Sequence, residues 1–167
     1  MIEPAAPNTI TVRYMTLEDA PRVHAIDVAS FTLPWSERSF RYELTENKHS
    51  TVWVAEIQEA SGPTLCGVIV TWIILDEAHI ATIAVHPDYR QRGIARQLLA
   101  RALSDAYTRG ARLALLEVRR SNIAAQTLYL HFGFVVVGER PRYYQDNNED
   151  ALLMTLEKID PQHLENQ

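Results

Sequence analysis

The sequence predicts an α/β fold: one mixed β-sheet with helices on both of its faces. Three observations carry this. The chain has 167 residues, 47% of them apolar and 22% charged, which fits a single globular domain large enough to bury a core. Its apolar patterning switches between the strand and helix periods in the order β-α-α-β-β-β-α-β-α-β-β, and runs of strands between helices imply a mixed sheet covered on both sides. At its centre, an apolar run rich in β-branched residues (80–85) passes through His86-Pro87-Asp88 into an arginine-rich, glycine-containing loop, and then into a helix.

Taken in order, residues 1–9 hold two prolines and read as a loose leader. Residues 9–14 alternate as a strand. Thr16 caps a helix with Glu18 and Asp19 in its first turn, and Val23, Ile26 and Ala29 or Ser30 mark its buried face to about Phe31. Thr32-Leu33-Pro34 breaks it, and Ser36 caps a second helix that ends near Asn47. Strands follow over 51–57 and 65–75, joined by a hairpin connection at 59–64. Asp76-Glu77-Ala78 turns the chain into the central strand. The next helix runs to Gly110, a good residue just past a helix end. A strand over 113–118, a helix over 122–132 stopped by Gly133, and strands over 134–138 and 151–156 complete the sheet. The last two strands are joined by a polar loop holding Tyr143, Tyr144 and the acids Asp146, Glu149 and Asp150. The tail after Asp160 is polar and is expected to fray. The domain therefore covers 10–157, with 1–9 and 158–167 as flexible ends.

The loop from Arg90 to Arg96 precedes a helix start, where unpaired N–H groups and a partial positive charge suit phosphate. Gly93 lets the backbone approach a ligand closely. The net charge is −5 but uneven: eight arginines lie between Arg90 and Arg120 against Asp105 and Glu117, while residues 1–59 carry nine acids against five bases. A basic middle with acidic ends fits an anionic cofactor and a cationic substrate. It fits nucleic acid poorly, since the chain is acidic overall with no basic stripe mixed with aromatics. The six histidines show no metal-ligand spacing and no partner cysteine exists, so no metal site is expected. No apolar run reaches membrane-spanning length. Cys66 is alone, in an apolar strand without an adjacent base, which reads as an inert core thiol in a reducing, cytoplasmic compartment.

Two further residues carry possible chemistry. Leu113, Leu115 and Glu117 share one face of their strand. A carboxylate closing an apolar row is expected to be partly desolvated, which raises its pKa and suits a general base. A structural role, bonded to a neighbouring arginine, is the alternative. Tyr129 lies seven residues after Asn122, on the same face of the helix that Asn122 starts; by itself it reads as core packing with a satisfied hydroxyl.

Arg90-Gln91-Arg92-Gly93-Ile94-Ala95 resembles the acyl-CoA-binding segment of the GNAT superfamily of N-acetyltransferases, Arg/Gln-x-x-Gly-x-Gly/Ala, and the element order over 10–157 matches the GNAT fold. Pro34-Trp35-Ser36, Asp76-Glu77-Ala78, Leu116-Glu117-Val118-Arg119, Ser121-Asn122, Leu128-Tyr129, Gly133-Phe134, Tyr143-Tyr144 and Glu149-Asp150-Ala151 are similar to the RimI branch of that family, which acetylates the N-terminal alanine of a small-subunit ribosomal protein. The resemblance implies acetyl-CoA as co-substrate and a protein N-terminus as partner, with no metal, nucleic acid or membrane. It implies Glu117 as proton acceptor and Tyr129 as proton donor. It places pantetheine along Ile83, Ala84 and Val85, the pyrophosphate at Gln91, Arg92, Gly93, Ile94, Ala95 and Arg96, and a cofactor contact at Asn122. Phe31, Trp35, Tyr143 and Tyr144 are implied as walls of the peptide groove, with the acids of the last loop near the cationic end. Two departures from the pattern are Ala95 in place of the last glycine, which the pattern permits, and Arg120, a second arginine before Ser121. A small-molecule amine as acceptor, or a CoA-binding module without turnover, are the alternatives.

Overall fold

The structure, a computed structural model, describes residue 6 and residues 8–167, so the expected leader falls largely outside the described residues. Seven strands form one sheet: β1 (Ile10–Tyr14), β2 (Ser50–Glu59), β3 (Gly62–Ile74), β4 (Glu77–Val85), β5 (Leu113–Arg119), β6 (Val135–Tyr144) and β7 (Glu149–Leu156), in the spatial order β1-β2-β3-β4-β5-β7-β6. The helices are α1 (Ala20–Ser30), α2 (Glu37–Thr45), α3 (Ile94–Thr108), α4 (Ile123–His131) and the short α5 (Pro161–Leu164). The sheet is mixed, as expected: β4 and β5 run parallel and every other neighbouring pair antiparallel.

The helix starts follow from local chemistry. Ser36 Oγ accepts from the Ser39 N–H at 3.0 Å and opens α2. The Asp19 carboxylate takes the Thr16 N–H at 2.8 Å, but the first turn after Thr16 is a 3-10 turn, and α1 proper begins at Ala20. Apolar side chains bury on both sheet faces. On one, Leu98, Leu99 and Leu103 of α3 and Phe132 beyond α4 pack with Ile57, Ile69, Leu116 and Met154. On the other, Val23, Ile26 and Phe40 of α1 and α2 pack with Val52, Val54, Val68 and Val70. Each fully buried Leu, Ile or Phe contributes about 1.5–3 kcal/mol. Gly67 sets how closely α3 sits on β3: a Cβ there would lie 3.0 Å from Leu98 Cδ1 and 3.1 Å from Ile94 Cγ2.

Several boundaries differ from expectation. Glu77 and Ala78 already belong to β4, so the preceding turn is confined to Leu75 and Asp76. β6 continues to Tyr144 and β7 begins at Glu149, which puts Tyr143 and Tyr144 on a strand and shortens the connecting loop to 145–148. The tail does not hang free. Ile159 and Leu164 are buried, the Ile159 N–H donates to the Arg112 carbonyl at 2.8 Å, and α5 packs on α3.

The feature that shapes the functional region is the parting of β4 and β5. They pair only over Glu77–Leu113, Ala78–Ala114 and His79–Leu115. Just beyond, the register of β3 with β4 slips, Val70 facing Thr82 and Thr71 facing Ile80, so Ala81 is an extra residue on β4. Such a bulge bends its strand. β4 therefore swings away from β5 two residues after their last pair, leaving an open strand edge inside the sheet.

Candidate active site

A cleft of about 730 Å³ fills the gap between the parted strands. Ile83, Ala84 and Val85 form one wall, and Asn122, Ala125, Leu128 and Tyr129 of α4 and its start form the opposite one. The loop after β4 closes one end through Arg90, Gln91, Gly93, Ile94, Ala95 and Arg96. Gln91 (φ 61°) and Gly93 (φ 76°) both lie in the left-handed region, and Gly93 immediately precedes α3. The Gln97 N–H bonds the Gly93 carbonyl at 3.1 Å. The amides before it belong to a helix's first turn, where donors lack intrahelical partners. The cleft thus offers an anion seat at one end and an unpaired strand edge along one side.

The side chains of this loop do not all face the cleft. Arg92 turns away, with its guanidinium 3.4 Å from the Asp88 carbonyl and over the Tyr89 ring, so only its backbone can serve the seat. Arg90 Nε donates to the Val85 carbonyl at 3.1 Å, bracing the strand end. Asn122 Oδ1 accepts from the Ala125 N–H at 3.1 Å, so this residue is both the cap of α4 and part of the cleft wall. The sequence reading missed Ser30, Tyr89, Ala124, Ala125 and Leu128 as lining residues. A signal existed for Ala125: Asn122, Ala125 and Tyr129 fall at i, i+3 and i+7 on one helix face.

Tyr129 is 4% exposed and packs on Phe134 at 5.8 Å between ring centroids. Among the described residues its hydroxyl makes no hydrogen bond, unlike a buried tyrosine serving only as core. Burial, with a smaller contribution from Tyr144, pushes its phenol well above the ordinary value and keeps it protonated. Glu117 sits elsewhere. Its neighbours Leu116 and Val118 face the α3 side, so Glu117 looks to the opposite face of β5. Its side chain is 34% exposed, with Arg140 Nη1 at 3.9 Å, so its burial is only partial. The splaying of β4 explains this, because the strand that would cover Glu117 has already departed. Of the two proton-handling candidates, Tyr129 alone is part of the cleft wall.

The acceptor-side residues are spread over three places. Phe31, at the end of α1, lines the cleft mouth with Ser30. Trp35 does not reach the cleft. It packs on Phe40 at 5.4 Å, as a hydrophobic staple for α2, and its other neighbour is Trp72 at 6.4 Å. Tyr143 is exposed, while Tyr144 lies half-buried under the Arg119 guanidinium at 3.9 Å. Burial pushes the Tyr144 phenol up to about 12 against the pull of that guanidinium.

The acids of the last loop are already engaged. Arg119 bonds Asp146 at 2.9 Å and Glu149 at 3.4 Å, and Arg120 pairs with Glu139 and Asp150. Hydrogen bonds from Thr32 and then Arg119 hold Asp146 below its ordinary value, and those from Ser121 do the same for Glu149. These carboxylates are thus committed to arginines of β5 and its end. Thr32 donates to Asp146 and so ties the loop after α1 to the loop after β6. Among the described residues no group of three or more His, Cys, Asp and Glu side chains gathers to hold a metal ion, and no helix is long and apolar enough to cross a membrane.

Comparison with known proteins agrees with this geometry. Residues 20–134 match the family described as the Acetyltransferase (GNAT) family. A Bacillus subtilis protein, named provisionally as a [ribosomal protein bS18]-alanine N-acetyltransferase, is 42% identical over 143 residues, covering 86% of this chain and 92% of the relative. The Escherichia coli (strain K12) [ribosomal protein bS18]-alanine N-acetyltransferase is 33% identical over 148 residues, covering 87% and 96%. The crystal structure of the ribosomal-protein-S18-alanine N-acetyltransferase from Escherichia coli superposes with a TM-score of 0.79 at 31% identity, covering 91% of this chain and 95% of that one.

Proposed function

The chain belongs to the GNAT acetyltransferase family, and on that premise we propose that it transfers the acetyl group of acetyl-CoA to the α-amine of a protein N-terminus, the alanine of a small-subunit ribosomal protein. Tyr129 is the observation that carries this reading: a phenol held protonated in the wall of a cleft that ends at an anion seat, with no partner for its hydroxyl among the described residues. A bare binding module has no use for such a group. The substrate class rests on the relatives, whose names specify ribosomal-protein alanine N-acetylation over nearly the whole chain.

Acetyl-CoA supplies the activated thioester. The first-turn amides of α3, with the left-handed Gly93, hold its pyrophosphate. The open edge at Ile83, Ala84 and Val85 receives the pantetheine arm through main-chain bonds, and a backbone N–H there steadies charge developing on the acyl oxygen. Glu117, through water, accepts the proton of the attacking amine, and Tyr129 returns one to the departing sulfur. An exposed carboxylate suffices for this acceptor, because an α-amino group has a pKa of about 7.7–8.0 against about 10.4 for lysine. Phe31 borders the place where amine and thioester meet. Such work on a ribosomal protein belongs in the cytoplasm.

The test uses three peptides of one sequence: free N-terminal alanine, blocked N-terminus, and blocked N-terminus with an added lysine. Acetylation of the free peptide alone is the expected result. Equal rates on the free and the blocked lysine peptides would exclude selectivity for the chain end, and acetylation of small amines in preference to all three would move the protein to the small-molecule acceptors.

A further inference from the structure

A second cavity, of about 600 Å³, lies between α2 and β3, apart from the cleft. Trp35, Tyr42 and Trp72 wall it, and Glu43 is part of its lining. Glu43 is 7% exposed, and so buried a carboxylate is uncommon unless it is paired. Its Oε2 accepts from Trp72 Nε1 at 2.9 Å and from Asn47 Nδ2 at 2.8 Å. Its Oε1 receives no hydrogen bond among the described residues, yet is not sealed from solvent. The result is a buried acid with one oxygen lacking a donor, in the lining of a space walled by aromatic rings.

The walls are held in place. The Trp35 N–H donates to Asp27 Oδ2 at 2.6 Å, and His24 Nδ1 lies 3.0 Å from the Trp35 carbonyl, so two side chains of α1 grip the backbone of Trp35 on both sides of its Cα. Trp72 is fixed by its bond to Glu43. The indoles of Trp35 and Trp72 are 24° from parallel.

The cavity is also within reach of the reacting centre. Trp72 pairs with His79 across β3 and β4, and His79 with Leu115 across β4 and β5, so the three share one face of the sheet. Glu117 is two residues past Leu115 on that same face. With strands about 4.8 Å apart, Trp72 stands about 10 Å from Leu115. An extended peptide advances about 3.3–3.6 Å per residue, so about three to five residues bridge the gap.

We propose that this cavity is a subsite for a basic side chain of the polypeptide acceptor, three to five residues in from its N-terminus. The inference rests on the acceptor being a polypeptide chain. A guanidinium or ammonium group satisfies Glu43 Oε1 and meets aromatic faces at once. An apolar side chain leaves that oxygen desolvated without a donor, and a carboxylate is repelled by it. Arg38, also in the lining, is exposed and pairs with no acid among the described residues, so no ion pair holds it over the space.

The test compares alanine-starting peptides carrying arginine or its neutral isostere citrulline at the third, fourth or fifth residue. Arginine at one of these positions is expected to lower the peptide KM roughly tenfold, the scale of one desolvated cation–aromatic contact. Glu43→Gln keeps an acceptor for Trp72 and should abolish that difference, with kcat and the acetyl-CoA KM unchanged. Equal KM values for arginine and citrulline at all three positions in the wild type overturn the subsite while leaving N-terminal acetylation intact. An equal rise for both peptides in Glu43→Gln assigns Glu43 to packing alone and also overturns it. A titration independent of turnover follows indole fluorescence with N-acetyl-arginine amide: quenching in the wild type that is lost in Glu43→Gln and in Trp72→Phe supports the subsite, and no quenching in the wild type overturns it, even if no peptide is acetylated.

Discussion

Gly93→Val tests the anion seat at its most constrained position. Gly93 has φ 76°, and a Cβ built there meets nothing within 4 Å, so the substitution causes no clash inside the protein. Its cost is conformational. A non-glycine residue in the left-handed region loses about 1–2 kcal/mol, and a β-branched one sits at the upper end. That cost must surface somewhere. If the loop keeps its shape, stability to urea falls by about 1–2 kcal/mol; if the loop relaxes to a right-handed conformation, binding must restore it, and the acetyl-CoA KM rises by a factor of about 5–30. Gly93→Asn separates backbone strain from crowding of the ligand, because asparagine tolerates this region but still carries a Cβ. Steady-state kinetics with a fixed peptide, beside urea unfolding of all three proteins, is the assay. Strain alone predicts that asparagine recovers most of the loss; close phosphate approach predicts that it does not. A valine variant with unchanged stability and unchanged acetyl-CoA KM would refute the assignment of this loop.

Three other expectations follow from the same structure. Tyr129→Phe removes a hydroxyl that bonds nothing among the described residues, so the fold and acetyl-CoA affinity should survive while kcat falls about 10²–10⁴-fold; a twofold loss is too small for an acid catalyst. Glu117→Gln should lower kcat with little effect on acetyl-CoA binding, and full activity would remove it from the mechanism. Asp27 is fully buried with Oδ1 unpartnered, and burial pushes its carboxyl up; a raised acid favours folding below its unfolded pKa and loses that contribution as pH rises through the folded one. Asp27→Asn should therefore gain on the wild type in urea unfolding as pH is raised from about 4, and a flat difference would contradict this.

The central stretch was legible because its signals are local. The apolar run, the Pro87 stop, Gly93 and the helix that follows lie within thirty residues, and each has a backbone consequence. Asn122 and Tyr129 were legible together through their spacing. Other features depend on contacts between distant segments. The bulge at Ala81 has no glycine or proline to announce it, yet it opens the cleft and uncovers Glu117. Glu139-Arg140-Pro141-Arg142 breaks the apolar alternation of β6, so its extension to Tyr144 was invisible. Ile159 and Leu164 look like isolated apolar residues until α3 supplies their partner. The acids around Asp146 read as a ligand for a cationic substrate, but Arg119, part of a matching string, and Arg120, noted only as a departure from the pattern, neutralise them. Asp27 did leave a trace, an acid within the apolar row of α1 whose role as an anchor for Trp35 depends on the fold.

The narrow join between β4 and β5 also bears on how the molecule holds together. Only three residue pairs knit a four-stranded block, β1 to β4, to a three-stranded one, β5 to β7. A ligand whose arm lies along the vacant edge becomes a rivet between the blocks. Ligand binding to the folded state adds RT ln(1 + [L]/Kd), about 2.7 kcal/mol at a hundredfold excess over Kd, and here that gain falls on the weakest seam of the sheet. Amide hydrogens along residues 80–85 therefore report the seam's opening, and their exchange with solvent is the local measure of how far the co-substrate completes the architecture.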